Sequence, residues 1–115
     1  MNAQERVTRF FDLVEARDFA AFRAAFAPNA RIHQNGTPLG LDQLVQSTEA
    51  GSKSVRYLRR RSFAGEAAGV EQHDVEIELV SGETVLVRDV CVVFRFDSKG
   101  RIAEIDEYVT PQKPG

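Results

Sequence analysis

VLVRDVCVVFRFDSKGRIAEIDEYVT, residues 85–110, is the stretch that decides the fold. Its first half is apolar on both faces of a strand: Leu86, Val90, Val92, Phe94 and Phe96 form one row, Val85, Val87, Cys91 and Val93 the other. Such a strand belongs to a sheet covered on both sides. Asp97-Ser-Lys-Gly100 closes a hairpin, and the strand that follows carries Ala103, Ile105 and Val109 on its more apolar face. One carboxylate, Glu107, interrupts that face. An ionised group on a buried face is costly unless paired, and a desolvated carboxyl moves towards the range useful for proton transfer. Glu107 is therefore the first candidate acid or base.

Upstream, Val75, Ile77 and Leu79 alternate with Asp74, Glu76 and Glu78, and Ser81-Gly82 makes a tight hairpin turn. The period of two begins near Ser54; before it the pattern is helical. Asn2 and Glu5 form a capping box for an amphipathic helix over Ala3 to Ala16, with Val7, Phe10, Phe11 and Val14 on its buried stripe. Asp18 caps a second helix carrying Phe19, Phe22 and Phe26, which is predicted to end before Pro28. A short strand at Ala30 to Gln34, a turn around Gly36 to Gly40, and a third helix with Leu41, Leu44 and Val45 closed by Gly51 complete the first half. Helices first and strands afterwards is an α+β layout. The helices cover one face of the sheet, and a second copy, in a homodimer, is expected on the outer face. Pro111 to Gly115 reads as a loose tail.

The 115 residues are 43% hydrophobic and 28% charged, enough for a single domain over 1–115 with one core. Fifteen basic against 17 acidic residues leave a formal charge of −2, which argues against nucleic acid and anionic membranes as partners. Arg59-Arg60-Arg61 alternates faces and reads as a solvated strand edge. A single cysteine, Cys91, forms no internal disulfide, and with no apolar leader or membrane span the expected setting is a reducing cytoplasm. Two histidines on separate strands have no metal-ligand spacing, so no metal is expected; without a glycine-rich phosphate loop, no cofactor is expected either.

EARDFAAFRAAFAPNARI (15–32) and VCVVFRFDSKGRIAEIDEYVTP (90–111), in the order helix, helix, strand, helix, long hairpins, resemble the SnoaL-like branch of the nuclear transport factor 2-like superfamily. The resemblance implies a cone: a curved antiparallel sheet wrapped around N-terminal helices, enclosing a hydrophobic pocket for a small hydrophobic ligand. Ketosteroid isomerases, limonene-epoxide hydrolases, polyketide cyclases and non-catalytic binding modules share that fold, so the site must carry the function. Phe10, Val92 and Gln34 match the three working positions of the isomerase, and none has the chemistry required there. Glu107 matches the catalytic aspartate that the cyclase and epoxide-hydrolase relatives carry on the last strand. Ile32, Gln34, Gln72 and Asp74 fall at the hydrolase's remaining positions, of which Asp74 alone keeps the residue type.

Strand arithmetic offers another partner. With a two-residue Ser81-Gly82 turn and a four-residue Asp97 to Gly100 loop, His73, Val90 and Glu107 share one rung, with Arg88 close by and Asp74 facing out. A bulge between Ala67 and Val75 reverses that choice and brings Asp74 in. The candidate catalytic set is thus Glu107 with His73 or Asp74. The candidate lining is Phe10, Ile32, Gln34, Gln72, Arg88, Val90, Val92, Phe94 and Ile105. Two functions stay open: a cofactor-independent acid–base enzyme, and a ligand-binding or dimerisation module of the same fold.

Overall fold

Asn2 starts the first helix as the capping box requires, accepting the Glu5 backbone N–H at 2.8 Å while the Glu5 carboxylate takes the Asn2 N–H. Helix α1 (Ala3–Glu15) buries Val7, Phe10, Phe11 and Val14. Asp18 caps α2 (Phe19–Ala24) through the Ala21 N–H. The computed structural model describes residues 1–110; the tail read at Pro111 to Gly115 lies outside the described residues.

Phe26, expected on the second helix, instead opens strand β1 (Phe26–Gln34). Pro28 pushes the residue before it to extended geometry, so the helix ends before Phe26, and the Ala25 carbonyl bonds the Ile102 N–H. The expected turn over Gly36 to Gly40 contains a short strand, β2 (Thr37–Leu39), because Asn35 and Gly36 both take positive φ (48° and 82°) and make a two-residue hairpin turn. Helix α3 (Leu41–Gly51) follows, then β3 (Ser52–Ala64), β4 (Ala68–Leu79), β5 (Thr84–Phe96) and β6 (Ile102–Tyr108).

The six strands make one sheet in the order β2-β1-β6-β5-β4-β3, antiparallel except where β1 runs parallel to β6. The helices pack inside its curve. Helix α1 lies so close to β4 that a Cβ on Gly69 would meet the Val7 side chain at 2.7 Å. Phe10 is the hub of the core, with the Phe22, Phe26 and Phe94 rings centred 4.7, 5.9 and 5.1 Å away.

The bulges set what faces inwards. The β4–β5 turn has three residues rather than two: Leu79 N–H reaches the Glu83 carbonyl at 2.8 Å, and Gly82 takes φ 95°. A bulge at Arg88-Asp89, with Asp89 at φ 57°, then restores the slipped register, so His73 does oppose Val90. The same bulge exchanges the two rows of β5. Val87 joins Val90 and Val92 inside, and Leu86, assigned to the inner row from sequence, is 37% exposed on the other face. A second bulge, at Arg59-Arg60 with Arg59 at φ 54°, lies on the opposite flank of the same segment of β4.

Candidate active site

Strand β6 brings Glu107 to the site, but not on the expected rung. The Asp97 N–H closes the β5–β6 turn on the Arg101 carbonyl, and the β6 register then slips between Ile102 and Glu104, so Glu107 pairs with Val92 rather than Val90. A slip of two residues keeps the face, as the period of a strand requires. The rung is Gln34, Glu107, Val92 and Glu71, with His73 one diagonal step away.

The curved sheet and helices enclose a cavity of about 370 Å³. Phe10, Phe11, Val14 and Phe22 line it from the helices, Ile32, Val75, Val87, Val90, Val92 and Ile105 from the sheet, and Leu44 and Thr48 from α3. Its polar residues are His33, Gln34, Tyr57, His73 and Glu107, with Gln43 and Ser47 from α3. Of the lining expected from sequence, Phe10, Ile32, Gln34, Val90, Val92 and Ile105 are here. Phe94 is fully buried behind the wall, in contact with Phe10 and Phe11. Gln72 lies on the opposite face of β4, bonded to Arg61, and Arg88 is exposed beside its bulge. Neither reaches the cavity.

His73 and Asp74 are almost equally buried, 4% and 5% exposed, on opposite faces of β4. No bulge interrupts β4 itself, so the alternation holds: His73 enters the cavity, and Asp74, the alternative, does not. Asp74 accepts the Asp89 backbone N–H at 3.0 Å and faces the Arg59 guanidinium at 3.3 Å, fastening one bulge to the other. Its carboxylate thus has a structural duty that explains its burial.

Glu107 stands at the cavity mouth, partly exposed rather than desolvated. The Gln34 amide donates to its Oε1 at 2.6 Å, leaving Oε2 without a partner among the described residues. Tyr57, on β3, was missed in the sequence. Burial first, and the Glu107 charge second, push its phenol well above the usual tyrosine range, so the hydroxyl stays protonated. Two strands, β5 and β4, lie between those of Glu107 and Tyr57 in the sheet order, yet the curl brings both residues to the same cavity.

Also missed was Glu71, 1% exposed, whose carboxylate receives the Arg60 guanidinium at 3.1 to 3.3 Å and lies 2.7 Å from His73 Nδ1. The signal was available. Glu71 interrupts the inner row of β4, with Gly69, His73 and Val75, as Glu107 interrupts that of β6. Arg60, read as a solvated edge, is turned inwards by the β3 bulge and bonds Asp12 and the Thr8 carbonyl of α1. Burial opposes its charge, but the bonds to Asp12 and Glu71 outweigh that cost and push its pKa up.

The outer face brings together three residues that their spacing does not announce: His33, Glu104 and Asp106, with possible ligand atoms within 4.8 Å of one another. Arg95 bonds both carboxylates and Arg31 pairs with Glu104, so guanidinium groups already engage the oxygens that a cation would need.

The sequence matches the SnoaL-like domain over residues 7–105. The chain belongs to that family. Solved structures support the same architecture. A "putative polyketide cyclase" from Pseudomonas putida superposes with a TM-score of 0.82 at 17% identity, covering 96% of this chain and 92% of that one. A second protein so described, from Xanthomonas campestris, gives 0.79 at 13% identity, with 93% and 92% covered. An "NTF2-like protein of unknown function" from an Exiguobacterium species gives 0.74 at 17%, with 93% and 99% covered. No curated protein matches the chain. Likeness at this level of identity speaks for the fold. Among the described residues no helix is long and apolar enough to cross a membrane.

Proposed function

We propose that this SnoaL-like domain is a cofactor-independent acid–base enzyme for a small, largely hydrophobic molecule, with Glu107 as the group that moves the proton. The observation that carries the reading is a pair of groups lining one cavity. Glu107 is held by Gln34 with one oxygen open, and the same cavity is lined by the Tyr57 phenol, which burial keeps protonated. A carboxylate that takes a proton and a neutral O–H that steadies the developing negative oxygen are the two parts needed to remove a proton from carbon next to a carbonyl. Epoxide hydrolysis of the kind found in the hydrolase relatives fits less well, because Gln72 and Asp74, at its remaining positions, lie outside the cavity. The volume, near the lower end for ligand sites, favours a compact substrate.

The test is solvent deuterium exchange into a panel of small cyclic ketones and 1,3-diketones, followed by NMR with the wild type and with Glu107→Gln. The variant is expected to lose exchange by about 10²- to 10⁴-fold while keeping its fold. Equal exchange by both proteins would remove Glu107 from the mechanism. No exchange above background by the wild type, with ligands still bound, would favour the non-catalytic binding module.

In the same reading the enzyme works in the reducing cytoplasm, with Cys91 free, and as a homodimer through the outer sheet face, where Leu86 and Tyr108 are 37% and 51% exposed. Sedimentation equilibrium at micromolar concentration is expected to give twice the chain mass; a monomer would refute the dimer.

A further inference from the structure

Glu71, Arg60 and His73 take no part in the proton transfer proposed above, although Glu71 and His73 are 1% and 4% exposed on the inner wall. A carboxylate as enclosed as Glu71 needs a partner, and Arg60 supplies it through a fork of contacts from Nε and Nη2 at 3.1 to 3.3 Å. Opposite that fork Glu71 stays an acceptor. The hydrogen in its 2.7 Å contact with His73 therefore sits on Nδ1 of the imidazole. A neutral histidine carries one ring hydrogen, so Nε2 is left with its lone pair. The reverse arrangement would need Glu71 to donate to Nδ1, whereas both its oxygens already accept from the Arg60 guanidinium. The ring is clamped in place, with Phe11 centred 4.7 Å away, edge to face, and Tyr57 4.6 Å away. Nε2 has no hydrogen-bond partner among the described residues, and His73 lines the cavity.

We propose that Glu71 and Arg60 fix His73 as a hydrogen-bond acceptor in the cavity wall, so that the site selects an apolar ligand carrying a hydroxyl or N–H group in addition to its carbonyl. The carbonyl half rests on the reading of Tyr57 given above; the acceptor half does not. His73 touches the ligand, and Glu71 is a positioning residue that acts through it. The chemical class is a small hydroxy-carbonyl or amino-carbonyl compound, its donor on His73 Nε2 and its acceptor on the Tyr57 O–H.

Two nearly isosteric probes separate the two halves: 4-(hydroxymethyl)acetophenone and 4-ethylacetophenone, which share the carbonyl and differ by a hydroxyl in place of a methyl. The free wild-type protein, labelled with ¹⁵N-histidine and observed at mildly alkaline pH, is expected to show His73 with hydrogen on Nδ1 and a bare Nε2. Both probes are expected to shift the methyl signals of Val90 and Val92. Only the hydroxymethyl compound is expected to move the Nε2 resonance, and it should bind about tenfold more tightly, a margin of one hydrogen bond. Glu71→Gln should scramble the tautomer and erase that margin. If Glu71→Gln does not fold, His73→Phe removes the acceptor and keeps the ring, and the margin should vanish there too. Hydrogen on Nε2 in the free protein, equal binding of the two probes, or a margin that survives His73→Phe would overturn the proposal. Exclusion of both probes from the cavity would overturn the reading of the cavity as a ligand site, whatever the tautomer.

Discussion

At the floor of the cone, aromatic rings fill the space between α1, α2 and β5; at its mouth, the same sheet carries Gln34 and Glu107 with part of their surface in water. Phe94 is completely buried, with Phe10, Phe11 and Phe96 rings around it. Glu107 instead has one amide on one oxygen and an open side towards the cavity. The floor is packed to the density at which every methylene counts, and the mouth leaves room for a ligand. The difference assigns stability mainly to one end and, in the function proposed above, leaves chemistry to the other.

The largest expected effect lies at the floor. Phe94→Ala should lower unfolding stability by about 3–5 kcal/mol in a denaturant titration, because the surrounding rings cannot close the cavity it leaves. A loss as small as that of a surface change would break the comparison. Next comes Asp74→Ala, expected to cost about 1–3 kcal/mol by leaving the Asp89 N–H without its acceptor, while ligand binding changes little since Asp74 lies outside the cavity. A selective loss of binding with intact stability would bring Asp74 back into the site.

Tyr57→Phe sharpens the distinction through pH. The phenol's pKa is raised by burial from a reference of 10.0, so above about pH 10 the unfolded chain releases this proton while the folded chain keeps it. Folded stability linked to Tyr57 is intact below that pH and lost as pH rises past it. The wild type should therefore lose stability in alkali more steeply than Tyr57→Phe, by thermal melts across that range; parallel curves would contradict it. The smallest effect belongs to Glu107→Gln, which should shift unfolding stability by less than about 0.5 kcal/mol, since a partly exposed carboxylate is replaced by an amide of the same shape. A larger loss would make Glu107 structural.

How far the sequence could be read follows the same division. The capping box of α1, the apolar stripes of the helices and the inward face of β6 were legible because each rests on a local period that the tertiary structure keeps. The pairings were not, because turn lengths and bulges are settled by contacts across strands. The register of His73 against Val90 was right through two compensating departures, a turn one residue longer than expected and a bulge at Arg88-Asp89 that takes up that one residue. The register of Glu107 had no such compensation and slipped by two. Glu71 was passed over although the reasoning applied to Glu107 fitted it better: it is the inner-face carboxylate that is fully enclosed. Tyr57 had no local mark, since its importance arises from a curl that joins strands three places apart.

The paired bulges on either side of β4 also bear on how this chain can change in length. Strand β5 carries two alternation phases joined at Arg88-Asp89: Val87 points inwards before the joint, and Val90, Val92 and Phe94 after it. Deleting one residue there would not shorten a loop. It would remove the extra residue and leave one regular alternation in which Val87, Val90, Val92 and Phe94 still point inwards, whereas one residue inserted between Val90 and Cys91 would present Cys91, Val93 and Arg95 to the aromatic floor and turn Phe94 towards solvent. The joint works as a frame adjuster inside a strand, and losing its extra residue would cost the fastening of Asp89 to Asp74 rather than the inward row.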